Sequence, residues 1–283
     1  MRSVPWNVVA HLAREGLMED IGPGDITTNA VVPEERRARA VVSAQQPIVV
    51  AGVEPAILCF RLLEPAVRFP FVAAHAASVS AGGAVLVAEG PARALLMAER
   101  TALNFLGRLC GIATFTHRAV EAVQGTGCEI FGTRKTTPGW RWLEKDALAA
   151  GGARPHRSGL YDAVLIKDNH LALGVGVGQS VRLARAACPP GTTIEVEVET
   201  LEELDEALRE GPDVILLDNM DTDQMREAVR RAGGRALLEA SGGITLETLA
   251  AVASTGVNRI SMGALTHTAP SAPLSLSLEP VTA

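Results

Sequence analysis

The sequence predicts an α/β fold in which a small α+β unit precedes an α/β barrel with fewer than eight strands. In the second half of the chain, six short apolar runs alternate with helical patterns, as is typical of βα units around a parallel sheet. The first ~100 residues instead alternate apolar with small or polar positions, which indicates strands of a separate unit. No GxGxxG motif follows the first of the six runs, which argues against a dinucleotide-binding sheet.

The first part of the chain is predicted to contain three helices, two strand regions and one loop. Apolar spacing, strand-like alternation and the Gly/Pro/Asp-rich segment EDIGPGDITT support these elements. They are helices over 1–20, 55–63 and 99–123, strands within 37–53 and 68–98, and a loop over 19–28. Gly107 and Gly111 are expected to weaken or bend the third helix, because glycine is a poor helix former.

The second part is predicted to repeat strand and helix. The strands are expected at 129–133, 163–166, 193–198, 213–217, 236–240 and 259–262, and the later helices at 181–187, 201–210, 223–234 and 245–255. A long loop over 134–162 follows the first strand and is predicted to contain a helix between Pro138 and Gly151.

Composition excludes several classes of protein. The formal net charge is −6 and no basic block occurs, so nucleic acid is not an expected partner. No apolar stretch reaches the ~18 residues that a membrane-spanning helix requires. The N-terminal segment lacks the apolar core of a signal peptide. No two of the four cysteines have CxxC spacing. We therefore expect a cytoplasmic protein with reduced, buried thiols.

Polar residues follow each predicted barrel strand, where the chemistry of such barrels is located. Only three of the 26 basic residues are lysines, which draws attention to Lys135 and Lys167, since arginine serves almost everywhere else. Glu195, Glu197 and Glu199 share one face of a strand because side chains alternate. We expect Glu197 and Asp218 to hold a ligand that carries hydroxyl groups or a metal ion.

Two further patterns indicate an anionic, phosphorylated ligand. Glycine-rich turns, SGGIT (241–245) and SMGALT (261–266), follow the last two strands, where barrels bind phosphate through backbone N–H groups and a helix N-terminus. Five groups that are or can become cationic are predicted around the same mouth, and their concentration in an acidic protein calls for an anion. They are Arg134, Lys135, His156, Arg157 and Lys167.

Several motifs together resemble one family, quinolinate phosphoribosyltransferase. They are ERTALN (99–104), GTRKTTPG (132–139), HRSGLYDAVLIKDNH (156–170), EVEVE (195–199), LLDNM (216–220) and EASGGI (239–244), with EDIGPGDITT near the N-terminus. The resemblance covers essentially the whole chain. It implies an N-terminal α+β open-faced sandwich over 1–110 and a barrel over 111–267, with the tail 268–283 as a candidate to pack on the sandwich.

The resemblance also implies the roles of the site residues. The dicarboxylate would meet Arg134, His156, Arg157 and Lys167, and Arg100 from the partner subunit of a homodimer with shared sites; a higher oligomer stays open. Phosphoribosyl pyrophosphate would be held by Lys135, Glu197, Asp218, Ser241, Gly242, Gly243, Gly263 and His267. Mg²⁺ would be the cofactor, on Glu197 and Asp218. The catalytic group would be Lys135, Lys167, Glu197 and Asp218.

Three alternatives share parts of this pattern. A phosphoribosyltransferase-like protein associated with molybdate transport would have the same fold, but the complete arginine set favours quinolinate. A barrel aldolase would use Lys167 as a Schiff-base amine, which requires a desolvated lysine. A non-catalytic phosphosugar-binding protein would bind phosphoribosyl pyrophosphate without turnover.

Overall fold

The computed structural model describes residues 4–281 and divides into two compact units. The first unit comprises the chain up to His117, together with Thr137–Gly151 and the C-terminal segment from Ala269. The second unit comprises Arg118–Thr136 and Gly152–Thr268. The segment 1–3 of the first predicted helix lies outside the described residues.

The first unit is built on a four-stranded antiparallel sheet in the order β12–β1–β5–β3, with a separate pair β2–β4. Its strands are β1 (Arg37–Ala44), β2 (Ile48–Val49), β3 (Arg68–Val72), β4 (Ser78–Val79), β5 (Ala84–Pro91) and β12 (Leu274–Pro280). Its helices are α1 (Trp6–Ile21), α2 (Ile26–Val31), α3 (Val53–Leu63), most of α4 (Ala92–Ala122), and α5 (Arg141–Ala150). The C-terminal strand β12 pairs with β1 from Ala38–Pro280 to Ala44–Leu274.

The helix α4 differs from its prediction in two ways. It begins at Ala92, inside the segment predicted as strand, because Ala92, Leu95 and Ala98 recur at helical spacing and are all buried. It also continues through Gly107 and Gly111. A Cβ atom at Gly111 would collide with the Pro270 carbonyl oxygen, so this glycine admits a neighbouring backbone segment into close contact with the helix.

The second unit is a barrel-like sheet of six parallel strands in the order β6–β11–β10–β9–β8–β7. The strands are β6 (Glu129–Phe131), β7 (Val164–Ile166), β8 (Ile194–Val198), β9 (Val214–Asp218), β10 (Leu237–Ser241) and β11 (Arg259–Ser261). The helices are α6 (Asp168–Leu173), α7 (Val177–Ala187), α8 (Leu201–Glu210), α9 (Thr222–Ala232), α10 (Leu249–Ala253) and α11 (Ala264–His267). The sheet does not close between β6 and β7, which confirms the predicted α/β barrel with fewer than eight strands.

Three local predictions are corrected by capping and turn geometry. The predicted loop over 19–28 contains the start of α2, because the Asp25 side chain accepts from the Thr28 N–H and caps a helix there. The helix α6 begins directly after Lys167 and was not predicted. The helix expected over 245–255 shrinks to α10, since a turn closed by the Thr245 N–H donating to Thr248 Oγ1 delays its start.

The burial of the cysteines and the character of the helices can be compared with what the composition predicted. Cys59, Cys110 and Cys128 are buried free thiols, whereas Cys188 is only half-buried because it caps the C-terminal end of α7. Burial raises the pKa of Cys59 to about 12, which keeps that thiol protonated and unreactive. Within residues 4–281, no helix combines the length and the apolarity that crossing a membrane would require.

Candidate active site

The strand β8 supplies two buried carboxylates to the second unit. Glu195 and Glu197 are 3% and 6% exposed, and they lie on one face of the strand because side chains alternate. Glu199, the third residue of the predicted set, is exposed beyond the strand end, where its N–H donates to Glu203 Oε2. The two buried carboxylates have different partners, and these define two clusters.

The interior cluster consists of His156, Glu195 and Glu239. The Nε2 atom of His156 lies 2.9 Å from Glu195 Oε2 and 3.5 Å from Glu239 Oε1, and Glu239 is completely buried. Burial opposes a charge on His156, but the hydrogen bond that its Nε2 donates to Glu195 and the negative charges of Glu195 and Glu239 outweigh it and raise the pKa of the ring to about 9. Burial is also the main reason that the pKa of Glu195 is raised, with the Glu239 charge adding to it.

The rim cluster consists of Lys167, Glu197 and Asp218. Lys167 follows β7 and places Nζ 3.0 Å from Glu197 Oε2, and the lysine side chain is 42% exposed. Asp218 ends β9 and is half-buried. Burial raises the pKa of Asp218, the Glu197 charge raises it further, and Lys167 lowers it, which places all three groups within electrostatic reach of one another.

A strained residue connects the rim cluster to the first glycine turn. Asn219 has a φ of 55°, unusual for a residue with a side chain, and its Nδ2 donates to Asp218 Oδ2 at 2.6 Å. Its N–H donates to the Ser241 carbonyl at 3.0 Å. Gly242 has a φ of 95°, and a Cβ atom there would overlap Asn219 Oδ1, so this position requires glycine. Gly243 continues the turn with a φ of 60°.

The second glycine turn brings two predicted phosphate-binding residues together. A Cβ atom at Gly263 would lie 2.8 Å from Lys135 Cδ and 3.0 Å from His267 Nε2. The Lys135 backbone is held there, since its carbonyl accepts from Thr266 Oγ1 at 2.5 Å. The absence of a side chain at Gly263 therefore allows the Lys135 and His267 side chains to pack closely over its main chain. The helix α11 begins directly after Gly263, whereas residues 244–248 separate Gly243 from the start of α10.

The predicted arginines fall into two groups. Arg134 and Arg157 are both half-buried. Burial lowers the pKa of Arg157 and the nearby Arg134 charge lowers it further, so the two guanidinium groups are near neighbours. Arg100 is exposed on α4 in the first unit, whereas all the other predicted site residues belong to the second unit.

One residue of the site was not singled out from the sequence, and a second was noted only as part of a strand-end pair. Glu239 is a carboxylate in the apolar run of β10, and a charge inside a buried strand was the signal that could have found it. Asn219 follows Asp218 at a strand end, and asparagine is one of the few residues that tolerates a left-handed backbone conformation.

Two family models cover most of the chain. The model of the quinolinate phosphoribosyl transferase N-terminal domain matches residues 25–110, and the model of its C-terminal domain matches residues 112–277. The chain is 44% identical over 260 residues to the nicotinate-nucleotide pyrophosphorylase [carboxylating] of Mycobacterium leprae, covering 90% of this chain and 91% of the relative. It is 41% identical over 261 residues to a probable enzyme of that name from Bacillus subtilis, covering 92% and 90%.

Solved structures agree with the sequence relatives. The structure of NadC from Streptococcus pyogenes matches with a TM-score of 0.93 at 35% identity and covers all of both chains. The nicotinate-nucleotide pyrophosphorylase of Francisella tularensis matches with a TM-score of 0.92 at 34% identity, over 99% of this chain and 100% of that one. Both domains, their order and their fold therefore agree, and this chain belongs to the quinolinate phosphoribosyl transferase family.

Proposed function

We propose that this chain transfers the phosphoribosyl group of phosphoribosyl pyrophosphate to quinolinate and releases carbon dioxide, giving nicotinate mononucleotide and pyrophosphate for NAD biosynthesis. The observation that carries the proposal is the family match over both domains, with relatives that bear the name of this enzyme. The second unit adds the chemistry, because it contains an arginine pair, a rim of carboxylates with a lysine, and two glycine turns.

Arg134 and Arg157 are suited to the two adjacent carboxylates of quinolinate. Two guanidinium groups that repel each other in the free protein are stabilised when an anion lies between them. Each can form a bidentate pair with a carboxylate, and a hydrogen bond to a charged group contributes ~1.5–3 kcal/mol. Binding both carboxylates also orients the pyridine nitrogen, so positioning is a large part of catalysis here.

The rim cluster is suited to the ribose and to Mg²⁺. Glu197 and Asp218 offer hard carboxylate oxygens. Burial raises the pKa of Asp218 and the Glu197 charge raises it further, and a divalent cation would relieve that repulsion. Mg²⁺ bound there would neutralise the charge that develops on departing pyrophosphate. Glu197 and Asp218 would favour positive charge on the ribose as the pyridine nitrogen attacks its anomeric carbon.

Lys135, His267 and the glycine turns are proposed to hold the phosphates. Lys135 and His267 both lie against Gly263, so a phosphate bound beside them would meet two potential cations. The turn at Gly242 and Gly243 presents a main chain without side chains, so a phosphate oxygen can approach its N–H groups. After transfer, the cationic pyridine nitrogen withdraws electrons and the adjacent carboxylate leaves as carbon dioxide. The electron pair of the broken bond stays on the ring carbon, which takes up a proton, and no covalent protein nucleophile is needed.

The alternatives lose support at specific residues. Lys167 forms an ion pair with Glu197 and its side chain is 42% exposed, whereas a Schiff-base aldolase requires a desolvated lysine. The relatives are nicotinate-nucleotide pyrophosphorylases, and no observation favours the molybdate-transport alternative.

The four free cysteines support a cytoplasmic location.

We further propose a homodimer in which Arg100 completes the partner's site. Its exposure on α4 makes the guanidinium available to another chain. Arg100→Ala and Lys135→Ala should each inactivate the homodimer. In a mixed dimer, one site carries both defects and the other carries neither. Co-expression with random mixing should therefore restore about a quarter of wild-type activity. No recovery in verified mixed dimers would contradict shared sites.

The activity itself is tested by incubating the protein with quinolinate, phosphoribosyl pyrophosphate and Mg²⁺. Nicotinate mononucleotide and carbon dioxide should appear in equal amounts. Nicotinate in place of quinolinate should not be a substrate, because only the dicarboxylate engages both arginines. Turnover of nicotinate, or binding of phosphoribosyl pyrophosphate without any turnover of quinolinate, would refute the proposed function.

A further inference from the structure

The ring of His156 is engaged at both nitrogens within the second unit. We infer that His156 is a positioning residue that ties the Arg157 main chain to Glu195 and Glu239, and that it does not itself contact the dicarboxylate. The inference rests on the proposed function, since Arg157 is the residue through which it acts. It differs from the role that the family resemblance implies for His156, and it assigns a function to Glu239.

The first contact is at Nδ1. The Arg157 N–H donates to His156 Nδ1 at 2.9 Å, a hydrogen bond that requires a lone pair on that nitrogen. A protonated Nδ1 would set two N–H groups against each other at this distance. The position of the Arg157 main chain therefore corresponds to a ring whose proton is on Nε2.

The second contact is at Nε2. This atom points into the buried carboxylates, 2.9 Å from Glu195 Oε2 and 3.5 Å from Glu239 Oε1. The histidine side chain is only 11% exposed, and its ring packs edge-on against Phe131 with centroids 6.4 Å apart. A substrate carboxylate would have to displace one of these protein contacts to reach either nitrogen.

The carboxylates and the main chain act on the ring in opposite directions. Glu195 and Glu239 favour the protonated ring and raise its pKa to about 9, although burial opposes the charge. The Arg157 N–H favours the ring without a proton on Nδ1. The Arg157 N–H points at Nδ1 and Nε2 faces Glu195, so the neutral ring that fits both contacts carries its proton on Nε2.

The segment after Arg157 is fixed from its other side as well. Asp162 accepts from the Ser158 N–H at 2.7 Å and from the Gly159 N–H at 3.0 Å. The Arg157 main chain is thus held between the His156 ring and this turn. A shift of the backbone would be passed to the guanidinium, and displacements of this kind can lower a rate by on the order of 100-fold.

Three variants separate the two nitrogens. In His156→Asn the amide oxygen replaces Nδ1 and can still accept from the Arg157 N–H. In His156→Gln the amide reaches the position of Nε2, and in His156→Phe the ring keeps its shape with neither contact. We expect His156→Phe to raise the KM for quinolinate on the order of 10- to 100-fold with a smaller change for phosphoribosyl pyrophosphate. His156→Asn should recover most of this loss and His156→Gln should not.

A double-mutant cycle tests whether His156 acts through Arg157. In an Arg157→Ala background, His156→Phe should change the quinolinate KM by less than about 2-fold, because the guanidinium it positions is gone. Multiplicative effects would overturn the inference, as would an Asn variant no better than the Gln variant. If the Phe variant does not fold, the comparison of the Asn and Gln variants, each checked by thermal melting, still decides.

Two readouts are independent of activity. Nitrogen-15 NMR of the ring above pH 9, where the ring is neutral, should show the tautomer protonated at Nε2; a tautomer protonated at Nδ1 would overturn the inference. The second readout is elemental analysis for bound metal. His156, Glu195 and Glu239 present ligand atoms within 4.8 Å of one another and could hold a metal ion. Stoichiometric metal in the wild-type protein that is lost in Glu239→Gln would therefore also overturn the inference. A wild-type protein without turnover would refute the proposed function, and the NMR result would remain valid for His156.

Discussion

The interior cluster and the rim cluster start from glutamates two residues apart on the same strand, yet their environments differ. Glu195 meets His156 and Glu239 where solvent is excluded, whereas Glu197 meets Lys167, a side chain that is 42% exposed. A buried carboxylate requires permanent partners, because an unpaired charge there costs several kcal/mol. At the rim the partner can move, which leaves Glu197 available to a ligand. The deeper interior cluster is therefore suited to supporting the fold, and the rim cluster is suited to binding a ligand.

Removing Mg²⁺ should have the largest effect and should act on the rim cluster alone. Chelation is expected to abolish turnover, since the charge on departing pyrophosphate would be uncompensated. The melting temperature without substrates should not change, because the interior cluster supports the fold through its own contacts. Assays with and without chelator, followed by Mg²⁺ addition, would measure this. Full activity in the chelated protein would contradict the proposed metal role.

Replacing an arginine of the proposed dicarboxylate pocket should have the next largest effect. Arg134→Ala or Arg157→Ala is expected to lower kcat/KM by roughly 30- to 1000-fold, equivalent to ~2–4 kcal/mol, by leaving a carboxylate unpaired. Lysine at either position should restore only part of this, because the planar fork is lost. Wild-type kcat/KM in either alanine variant would exclude that arginine from the dicarboxylate pocket.

Glu195 and Glu197 provide a matched pair for comparing the clusters. Glu195→Ala should lower the free energy of unfolding by ~1–3 kcal/mol, since His156 Nε2–H loses a buried acceptor. Glu197→Ala should change it by less than ~1 kcal/mol, because Lys167 can turn toward solvent. It should instead weaken phosphoribosyl pyrophosphate more than quinolinate, and Asp218→Ala should do the same. Denaturant titration and calorimetry give both values; the reverse ranking would invalidate the comparison.

The smallest effect is expected at a cluster on the protein surface, which extends the comparison from the barrel to the solvent boundary. Hydrogen bonds from Arg230 and Arg231 lower the pKa of Glu227 to about 2. A lowered carboxyl pKa stabilises the folded state above the ordinary value near 4.5, and this contribution is lost as the pH falls through about 2. Glu227→Gln should therefore lower the melting temperature slightly at pH 7 and not below pH 2. High salt should reduce the difference, because exposed pairs are screened.

The elements that were predicted most accurately carry their signals locally. The helix α8 spans the predicted residues 201–210 because Thr200 accepts from the Glu203 N–H at one end and Gly211 adopts a left-handed conformation at the other. The strands β8 and β9 lie within one residue of their predicted bounds, since apolar runs between turn residues define buried strands. The polar residues after these strands were evident for the same reason.

What the sequence determined by itself was the order of strands and helices, the charged residues at the strand ends, and the motifs that indicate the family. What the tertiary structure decided was which partner each charge meets. Nothing near Glu195 or Glu197 in sequence distinguishes them, and only the approach of His156, Glu239 and Lys167 gives them different environments. Capping and turn signals act over three or four residues. The contact between residues 156 and 239 exists only once β10 has paired with the strands of the sheet, three of which lie between these residues in sequence, and that is why the interior cluster could not be predicted.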